Sequence, residues 1–275
     1  NRATRGYEFY HRPGGGRMAQ GGRAMSDIIL VTSANGPYMP KMRPYLGDLQ
    51  ARLNPEIYVV VMTVDCGPPE WANDVPRVEF VPITAADNAG TSESTSVEHG
   101  SFLNHVNTSD DDLIIYTNGD MRLQRALSAW EMRQLDHFPA GAVSGVWNAG
   151  YGDTLAAEAE RLTPRIDPQG LEGLFPYYAD VPCLNMGVFV ARAATYRRIY
   201  QTYMEYVPNL SAAFVHYARQ QWGVCYAASR AAGHFIEMSP ELHAQGHYGS
   251  PPGVRLGYDG AALYHGRAVA WRHKL

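Results

Sequence analysis

The chain has 275 residues, 45% of them hydrophobic and 18% charged, with a formal net charge of −4 at pH 7. This length and composition predict one large buried core and a single domain. The longest apolar run, residues 57–64, is far shorter than the roughly 20 residues that a bilayer-spanning helix needs, so we expect no membrane span.

Charge is unevenly distributed along the chain. Residues 1–24 carry five arginines and one glutamate and are rich in glycine, which predicts a flexible basic extension ahead of a domain over residues 25–275. The acidic remainder argues against a protein whose main role is to bind nucleic acid. The extension has no apolar central segment, so we expect no signal peptide. Three widely spaced cysteines without a CxxC pair favour a reduced, cytoplasmic setting.

The first elements predict a right-handed βαβ unit. Residues 28–33 and 57–62 are apolar, β-branched runs typical of strands. Between them, apolar residues recur every three or four positions and indicate a helix: Met42, Tyr45, Leu46, Leu49 and Leu53. Ligands of open α/β sheets bind beyond the carboxyl ends of strands, so we expect a nucleotide at the loop over residues 34–38. Tyr38 either stacks on the nucleotide base or packs on the sheet edge as a core residue.

A third strand, a polar loop and a helix are expected next. Residues 78–83 predict the strand, residues 87–96 are rich in Ser, Thr and Gly, and residues 97–106 have a helical pattern. Glu98 and His99 lie near the start of that helix. They either approach a ligand or face solvent at the helix end.

The most informative stretch is an apolar strand over residues 113–116, which follows the acidic turn at residues 110–112 and runs into Asn118-Gly119-Asp120. Such a run is typical of a strand buried on both faces, and its carboxyl end is where α/β sheets bind ligands. Gly119 allows the backbone to turn sharply. The oxygens of Asn118 and Asp120 can then share a divalent cation that neutralises a diphosphate. The alternative is that Asn118-Gly119 is an ordinary turn and Asp120 caps a following helix.

The second half continues the alternation of helices and strands. An amphipathic helix is expected directly after Asp120, with apolar residues Leu123, Leu127, Trp130 and Leu135. Residues 142–147 and 184–191 predict two more strands. Residues 154–180, with several prolines and glycines, are interpreted as an insertion on the acceptor side, because variable loops over a fixed sheet often build such sites.

Three further polar residues are candidates for a site. Asn185 and Gly187 begin the strand over residues 184–191. Gln221 lies in the apolar stripe of a helix over residues 212–228, where its amide either ties down a neighbouring backbone group or faces a polar cleft. His265 ends a short strand near the C-terminus and is either structural or a metal ligand.

In this order, the motifs resemble those of GT-A-fold glycosyltransferases, most closely the retaining family-eight type that includes glycogenin-like and bacterial galactosyltransferase-like enzymes. The family's nucleotide loop, Thr-x-Asn-x-x-Tyr, is similar to residues 32–38. Asn118-Gly119-Asp120 stands in place of its metal-binding Asp-x-Asp, and Asn185-Met186-Gly187 in place of Asn-Ser-Gly. Gln220-Gln221 resembles its Asp-Gln pair. Its His-x-x-Gly-x-x-Lys-Pro-Trp segment is similar to the stretch that begins at His265-Gly266 and includes Trp271.

This resemblance implies a GT-A-type α/β domain, with a Rossmann-like, mixed and mostly parallel central sheet and helices on both faces. It implies metal-dependent transfer of a sugar from a nucleotide diphosphate donor, a UDP-sugar, to an acceptor hydroxyl with retention. Mn²⁺ or Mg²⁺ would be held by Asp120, His265 and Asn118. The implied nucleotide-binding residues are Thr32, Ser33, Ala34, Asn35, Tyr38, Asn118 and Gly119. The implied catalytic residues are Gln221, Asn185 and Asp120.

Departures from the family pattern keep two alternatives open. Asn118 and Gln220 each replace an aspartate, which predicts weaker metal binding and makes a catalytically silent sugar- or nucleotide-binding protein credible. The family's C-terminal lysine is also missing. A sugar nucleotidyltransferase is the other alternative, although residues 34–38 contain one glycine and no cation to bind a triphosphate. The acceptor stays open between a glycan, a protein, a small molecule and, supported only by the basic extension, modified DNA.

Overall fold

The computed structural model describes residues 27–147, 154–162, 173, 175–210, 216–238, 243–244 and 271–273. The N-terminal extension expected over residues 1–24 and the candidate metal ligand His265 lie outside these residues. Part of the expected insertion over residues 154–180 also lies outside them.

Two sheets are present within the described ranges. The main sheet has seven strands in the order β3-β2-β1-β4-β7-β6-β8, and the smaller sheet has the order β5-β10-β9. In chain order, the strands are β1 (Ile28–Asn35), β2 (Ile57–Val64), β3 (Val78–Ile83), β4 (Leu113–Thr117), β5 (Met121–Leu123), β6 (Ala142–Trp147), β7 (Leu184–Arg192), β8 (His234–Glu237), β9 (His243–Ala244) and β10 (Trp271–His273).

The connections include five α-helices and four 3₁₀ helices among the described residues. The α-helices are α1 (Met39–Arg52), α2 (Ala129–Asp136), α3 (Leu155–Leu162), α4 (Ala193–Leu210) and α5 (His216–Ala231). The 3₁₀ helices are Glu70–Asp74, Ser94–His99, Ser101–Asn104 and Tyr178–Asp180. No helix in this part of the chain combines the length and apolar character needed to span a bilayer.

The central strands are buried on both faces, as their apolar sequences predict. In β1 and β4, Ile29 and Tyr116 face the core formed with α4 and α5, and their neighbours Leu30 and Ile115 face the core formed with α1 and α2. All five residues of β4 are buried. Burying each large apolar side chain stabilises the fold by about 1.5–3 kcal/mol, so these two strands contribute strongly to the stability of the sheet.

The directions of the strands bring the ends of several strands to one edge of the sheet. β1, β2, β3 and β4 are parallel, whereas β7 is antiparallel to both β4 and β6. The predicted mixed, mostly parallel sheet is therefore confirmed. The pairing of Thr117 with Val188 places the carboxyl end of β4 beside the middle of β7, and the first residues of β7 extend beyond it. The carboxyl end of β1 lies at the same edge, next to β4.

Two predicted helices are wrong. Residues 97–106 form parts of two 3₁₀ helices instead, because Gly100 has φ +106 and interrupts the helical path. Directly after Asp120 the chain forms β5, which pairs with β10 from the distant C-terminal region. Helix α2 begins only after Ser128, whose capping box with Glu131 satisfies backbone donors at the helix start. Trp130, expected on the apolar side, is 58% exposed.

Replacement of Gly100 by alanine is expected to destabilise the fold. A Cβ at this position would lie 3.2 Å from the Tyr196 carbonyl oxygen, in a backbone conformation that favours glycine. We expect Gly100→Ala to lower the free energy of unfolding in urea by about 1–3 kcal/mol. Gly47→Ala is the matched control, since a Cβ there meets nothing within 4 Å in the middle of α1 and should be neutral or stabilising. Equal effects of the two substitutions would contradict this account.

Candidate active site

A pocket of about 60 Å³ opens at the edge of the sheet where β1 and β4 end. Its described lining comes from the ends of these strands, the turn after β4, the start of α1 and the first residues of the Ser94–His99 helix. The lining residues are Ser33, Tyr38, Ser94, Thr95, Tyr116, Asn118, Gly119 and Asp120. This is the edge at which the sequence predicted a ligand site.

A buried hydroxyl cluster forms the floor of the pocket. The Ser33 hydroxyl donates to the Ser94 carbonyl oxygen at 2.6 Å, and its oxygen lies 3.0 Å from the Tyr116 hydroxyl. Burial raises the pKa of Tyr116 well above its usual value, and negative charge on the neighbouring Glu98 or Asp120 would raise this pKa further. Tyr116 is therefore a neutral phenol near pH 7 and can serve as a hydrogen-bond donor.

The loop after β1 is held by its own asparagine. The Asn35 side-chain oxygen accepts from the Tyr38 backbone N–H at 3.2 Å, and its side-chain amide donates to the Ser92 carbonyl at 3.2 Å. Tyr38 lines the pocket, with the Lys41 ammonium 5.3 Å from its ring centroid. Thr32 and Ala34 are fully buried and do not line it. The structure thus brings Ser33 and Tyr38 to the pocket and leaves Asn35 to shape the turn.

All three residues of Asn118-Gly119-Asp120 line the pocket. The Asn118 backbone N–H donates to the Gly187 carbonyl at 3.0 Å, so the turn is bonded to β7. The Asn118 side-chain oxygen Oδ1 is buried and has no hydrogen-bond partner in the described part of the protein. Asp120 is followed by strand β5, so its alternative role as a helix cap is wrong.

Gly119 is required here by close packing. A Cβ on this residue would lie 2.6 Å from the Met42 Cε atom and 3.0 Å from the Ser33 carbonyl oxygen. The second contact is to backbone, which a side-chain rotation cannot relieve. Only glycine therefore lets the turn after β4 lie directly against β1.

Contacts on either side fix this turn. Before it, the Tyr45 hydroxyl on α1 donates to the Thr117 hydroxyl at 2.8 Å in a buried site. After it, the Arg122 guanidinium donates to both oxygens of the buried Asp48 carboxylate, at 2.5 and 3.1 Å. Two parallel bonds from guanidinium to carboxylate fix orientation as well as distance. The turn carrying Asp120 is held to α1 at both ends.

Asn185 and Gln221 do not line the pocket. The Asn185 side-chain oxygen accepts from the Gly187 backbone N–H at 2.8 Å, and the carbonyl of the same Gly187 accepts from the Asn118 N–H. Gln221 is 9% exposed, and its side-chain amide lies 3.8 Å from the Cys183 sulfur, inside the core. Gln221 therefore does not face the pocket, and the partner of its amide is the Cys183 sulfur rather than the backbone group that the first interpretation expected.

Gln220, rather than Gln221, is connected to the pocket wall. Its side-chain oxygen accepts from the Thr95 hydroxyl, and its amide donates to the Glu93 carboxylate. Gln220 is 3% exposed, so both bonds lie in a nearly dry environment. They join α5 to the start of the Ser94–His99 helix, which supplies Thr95 to the pocket. The sequence marked Gln220 as a departure from a family motif but gave no sign of this contact.

Glu98 and His99 are buried behind the pocket. The expectation that they face solvent at a helix end is wrong, since they are 4% and 0% exposed. They are not among the residues that line the pocket either. The His99 Nδ1 atom accepts from the Ser101 backbone N–H at 3.1 Å, and its ring stacks on Tyr203 with a centroid separation of 4.5 Å. Burial lowers the pKa of His99 to about 3 and raises that of Glu98 well above its ordinary value, so both are neutral near pH 7.

The described lining of the pocket contains the Asp120 carboxylate and no lysine or arginine. No group of three or more His, Cys, Asp or Glu side chains suited to a metal ion occurs among the described residues. The buried Asn118 Oδ1 without a partner and the neighbouring carboxylate nevertheless fit a hard cation, because both are oxygen donors of the type that Mg²⁺ and Mn²⁺ prefer. The protein would supply part of the coordination shell, and oxygens of a ligand or water would complete it.

Solved glycosyltransferase structures superpose on most of the chain. The galactosyltransferase LgtC, in complex with donor and acceptor sugar analogs, gives a TM-score of 0.58 at 13% identity over 90% of this chain and 86% of its own. Mouse xyloside xylosyltransferase 1 gives a TM-score of 0.53 at 14% identity, over 90% of this chain and 97% of its own. The bifunctional glycosyltransferase WbbM gives a TM-score of 0.59 at 12% identity, over 90% of this chain and 45% of its own. The chain has the GT-A fold.

The GT-A fold that the motif order predicted is therefore confirmed. No model of a known protein family matches the chain, and no curated protein sequence matches it. At 12–14% identity, the structural likeness shows the GT-A fold and leaves the roles of individual residues as proposals.

Stability should fall in acid because His99 is buried in the neutral form. The unfolded chain binds a proton near pH 6.5, whereas folded His99 binds it only near pH 3, so stability is lost as the pH falls between these values. His99→Phe keeps an aromatic ring in the stack and removes this proton. Between pH 7 and pH 5, the free energy of unfolding of the wild type should fall by about 2 kcal/mol more than that of the variant. Urea unfolding at both pH values measures this, and identical pH dependence of the two proteins would contradict it.

Proposed function

We propose that the protein is a metal-dependent glycosyltransferase. It transfers a sugar from a nucleotide diphosphate donor, a UDP-sugar, to an acceptor hydroxyl, with retention of configuration. The observation that supports this most directly is the pair formed by Asp120 and the buried, unpartnered Asn118 Oδ1, at the ligand-binding edge of a GT-A sheet. Retention and the uridine base rest on the family-eight motifs.

The charge of the pocket supports metal dependence. A diphosphate beside Asp120 meets a like charge, and the described lining offers no lysine or arginine to compensate. At an effective dielectric constant of about 20, each pair of unit charges about 4 Å apart repels by about 4 kcal/mol. A divalent cation between carboxylate and diphosphate turns this repulsion into attraction. Donor binding should therefore require the cation.

Asp120 and the Asn118 amide oxygen would hold Mn²⁺ or Mg²⁺, with His265 as a third ligand outside the described residues. When bound, the metal supplies Lewis-acid stabilisation of the departing diphosphate. Because an amide oxygen carries no formal charge, Asn118 binds the cation less strongly than the aspartate of the family motif would. The donor's own phosphate oxygens then contribute a larger share of the coordination.

Residues of the chain orient the rest of the donor. Tyr38, at the rim of the pocket, offers an aromatic face to the base. The Thr95 hydroxyl donates its hydrogen to Gln220, which leaves its oxygen free to accept a hydrogen bond from a ribose hydroxyl. Asn185 and Gln221 remain proposed as donor-sugar residues. To line the sugar, the side chain of Gln221 would have to leave its present contact with Cys183.

The two alternative functions make different predictions for the same assay. A nucleotidyltransferase needs cations for a triphosphate, and the described pocket lining has none. A silent binding protein would bind a nucleotide sugar without turnover. UDP release from a panel of UDP-sugars, measured with and without Mn²⁺, supports the glycosyltransferase. Pyrophosphate-dependent chemistry supports the first alternative, and binding without release supports the second.

Removal of the proposed metal ligand should abolish activity. We expect Asp120→Ala to lower Mn²⁺-dependent UDP release by at least about tenfold, since loss of even an outer-shell partner of a metal site costs 10–100-fold. Asp74→Ala, at an exposed aspartate outside the pocket, is the matched control and should keep the wild-type rate. Full turnover by Asp120→Ala would remove the metal role assigned here.

Restoration of a carboxylate at position 118 should tighten metal binding. In Asn118→Asp, the half-saturating Mn²⁺ concentration should fall by about tenfold, which corresponds to about 1.4 kcal/mol from the added charge. Asn118→Ala removes the oxygen and should shift that concentration in the opposite direction. Titration of Mn²⁺ at fixed UDP-sugar measures both variants. If all three proteins had the same metal dependence, Asn118 would not be a ligand.

A further inference from the structure

Three hydroxyl groups of the pocket lining have their hydrogens committed to the protein. The Ser33 hydroxyl donates to the Ser94 carbonyl oxygen at 2.6 Å, so the 3.0 Å bond between Ser33 and Tyr116 uses the Tyr116 hydrogen. The Thr95 hydroxyl donates to the side-chain oxygen of Gln220. A hydroxyl has a single hydrogen to donate, so these groups can only accept further hydrogen bonds.

Glu93 sets the direction of the bond between Thr95 and Gln220. A carboxylate has no hydrogen to give, so Glu93 accepts from the side-chain NH₂ group of Gln220. This contact turns the amide so that its oxygen, rather than its nitrogen, faces Thr95. Gln220 is almost completely buried, so water competes little for either bond. The amide on α5 thus makes Thr95 a hydrogen-bond acceptor at the pocket.

The ribose of a nucleotide is the group that an acceptor at this place can bind. In the proposed function, Tyr38 holds the base and Asp120 holds the diphosphate through a cation. Both residues line the same pocket of about 60 Å³ as Thr95, and the ribose is the part of the donor that joins base to diphosphate. An ionised diphosphate has no hydrogen to donate to Thr95, whereas the 2′- and 3′-hydroxyls of ribose do.

We propose that Gln220 determines the selectivity of the pocket for ribonucleotides. By taking the Thr95 hydrogen, Gln220 makes Thr95 an acceptor for a ribose hydroxyl, and a deoxyribonucleotide leaves this acceptor without a partner. The proposal rests on the proposed glycosyltransferase function and extends it to the class of nucleotide. A site built to bond a hydroxyl rejects the analogue that lacks it, because a polar group is left unpaired once the ligand excludes water. Gln220 acts through Thr95 and is a positioning residue.

Nucleotide binding tests the proposal without turnover. The probes are UDP, 2′-deoxy-UDP and 3′-deoxy-UDP, titrated with Mn²⁺ into the full chain by isothermal titration calorimetry. We expect the wild type to bind UDP at least about fivefold more tightly than one of the deoxy analogues, because that analogue leaves Thr95 unpaired. Thr95→Val keeps the shape of the side chain and removes the acceptor, so the two affinities should become nearly equal. Thr95→Ser retains the hydroxyl and should retain the preference.

Gln220→Leu distinguishes positioning from a general effect on the fold. Without the amide oxygen, the Thr95 hydroxyl can turn to another partner, so the preference for UDP should fall below about twofold. A residue that only stabilises the fold would weaken all three nucleotides by the same factor, and an unchanged preference would overturn the role of Gln220. Gln50→Leu is the matched control, because Gln50 donates to the Asp74 carbonyl at 3.3 Å outside the pocket and should not affect the preference.

The outcomes separate this proposal from the proposed function. Failure of the wild type to bind UDP with Mn²⁺ contradicts the proposed function, and the ribose site with it. Equal binding of UDP and both deoxy analogues by the wild type leaves the function intact and overturns the proposal, as does an unchanged preference in Thr95→Val. If Gln220→Leu does not fold, Glu93→Ala frees the amide to turn over and should lower the preference; no change in that variant overturns the role of the amide.

Discussion

The site depends on the direct contact between the turn after β4 and the end of β1. Gly119 lies so close to the Ser33 carbonyl that a single added carbon would separate the two segments. On the other side, the Asn118 N–H is bonded to the Gly187 carbonyl within β7. The turn is therefore held between two strands, and the oxygens of Asn118 and Asp120 emerge at a fixed position. A functional site on rigid elements needs little reorganisation when its ligand binds.

Hydrogen bonds from distant parts of the chain extend this rigidity to the pocket wall. The loop over residues 92–95 is bonded to the end of β1 through Ser33 and Asn35, and to α5 through Gln220. Behind it, Glu98 and His99 are buried in neutral forms. The interior behind the pocket therefore carries little charge, which increases the electrostatic influence of Asp120 and of any cation bound beside it.

The sequence predicted the features that depend on local pattern. The apolar, β-branched runs of β1 and β4 could be assigned because both faces of these strands are buried, and the carboxyl-edge rule then located the pocket at Ser33, Tyr38, Asn118 and Asp120. Prediction from the sequence failed where a contact with a distant residue decides the local structure. Residues 121–123 form a strand because β10 pairs with them, and Gly100 breaks the expected helix against Tyr196. The helical stripe identified Gln221 as the unusual residue, but Thr95 and Glu93, more than 120 positions away, bond to its neighbour Gln220.

The central claim is that Asp120 holds a cation against the diphosphate of a nucleotide sugar. Crystals grown with UDP and Mn²⁺, measured at a wavelength where manganese scatters anomalously, test it most directly. The account predicts an anomalous peak within bonding distance of both the Asp120 carboxylate and the UDP phosphates. Ordered UDP without such a peak, or a manganese ion bonded elsewhere while Asp120 makes only protein contacts, would contradict it.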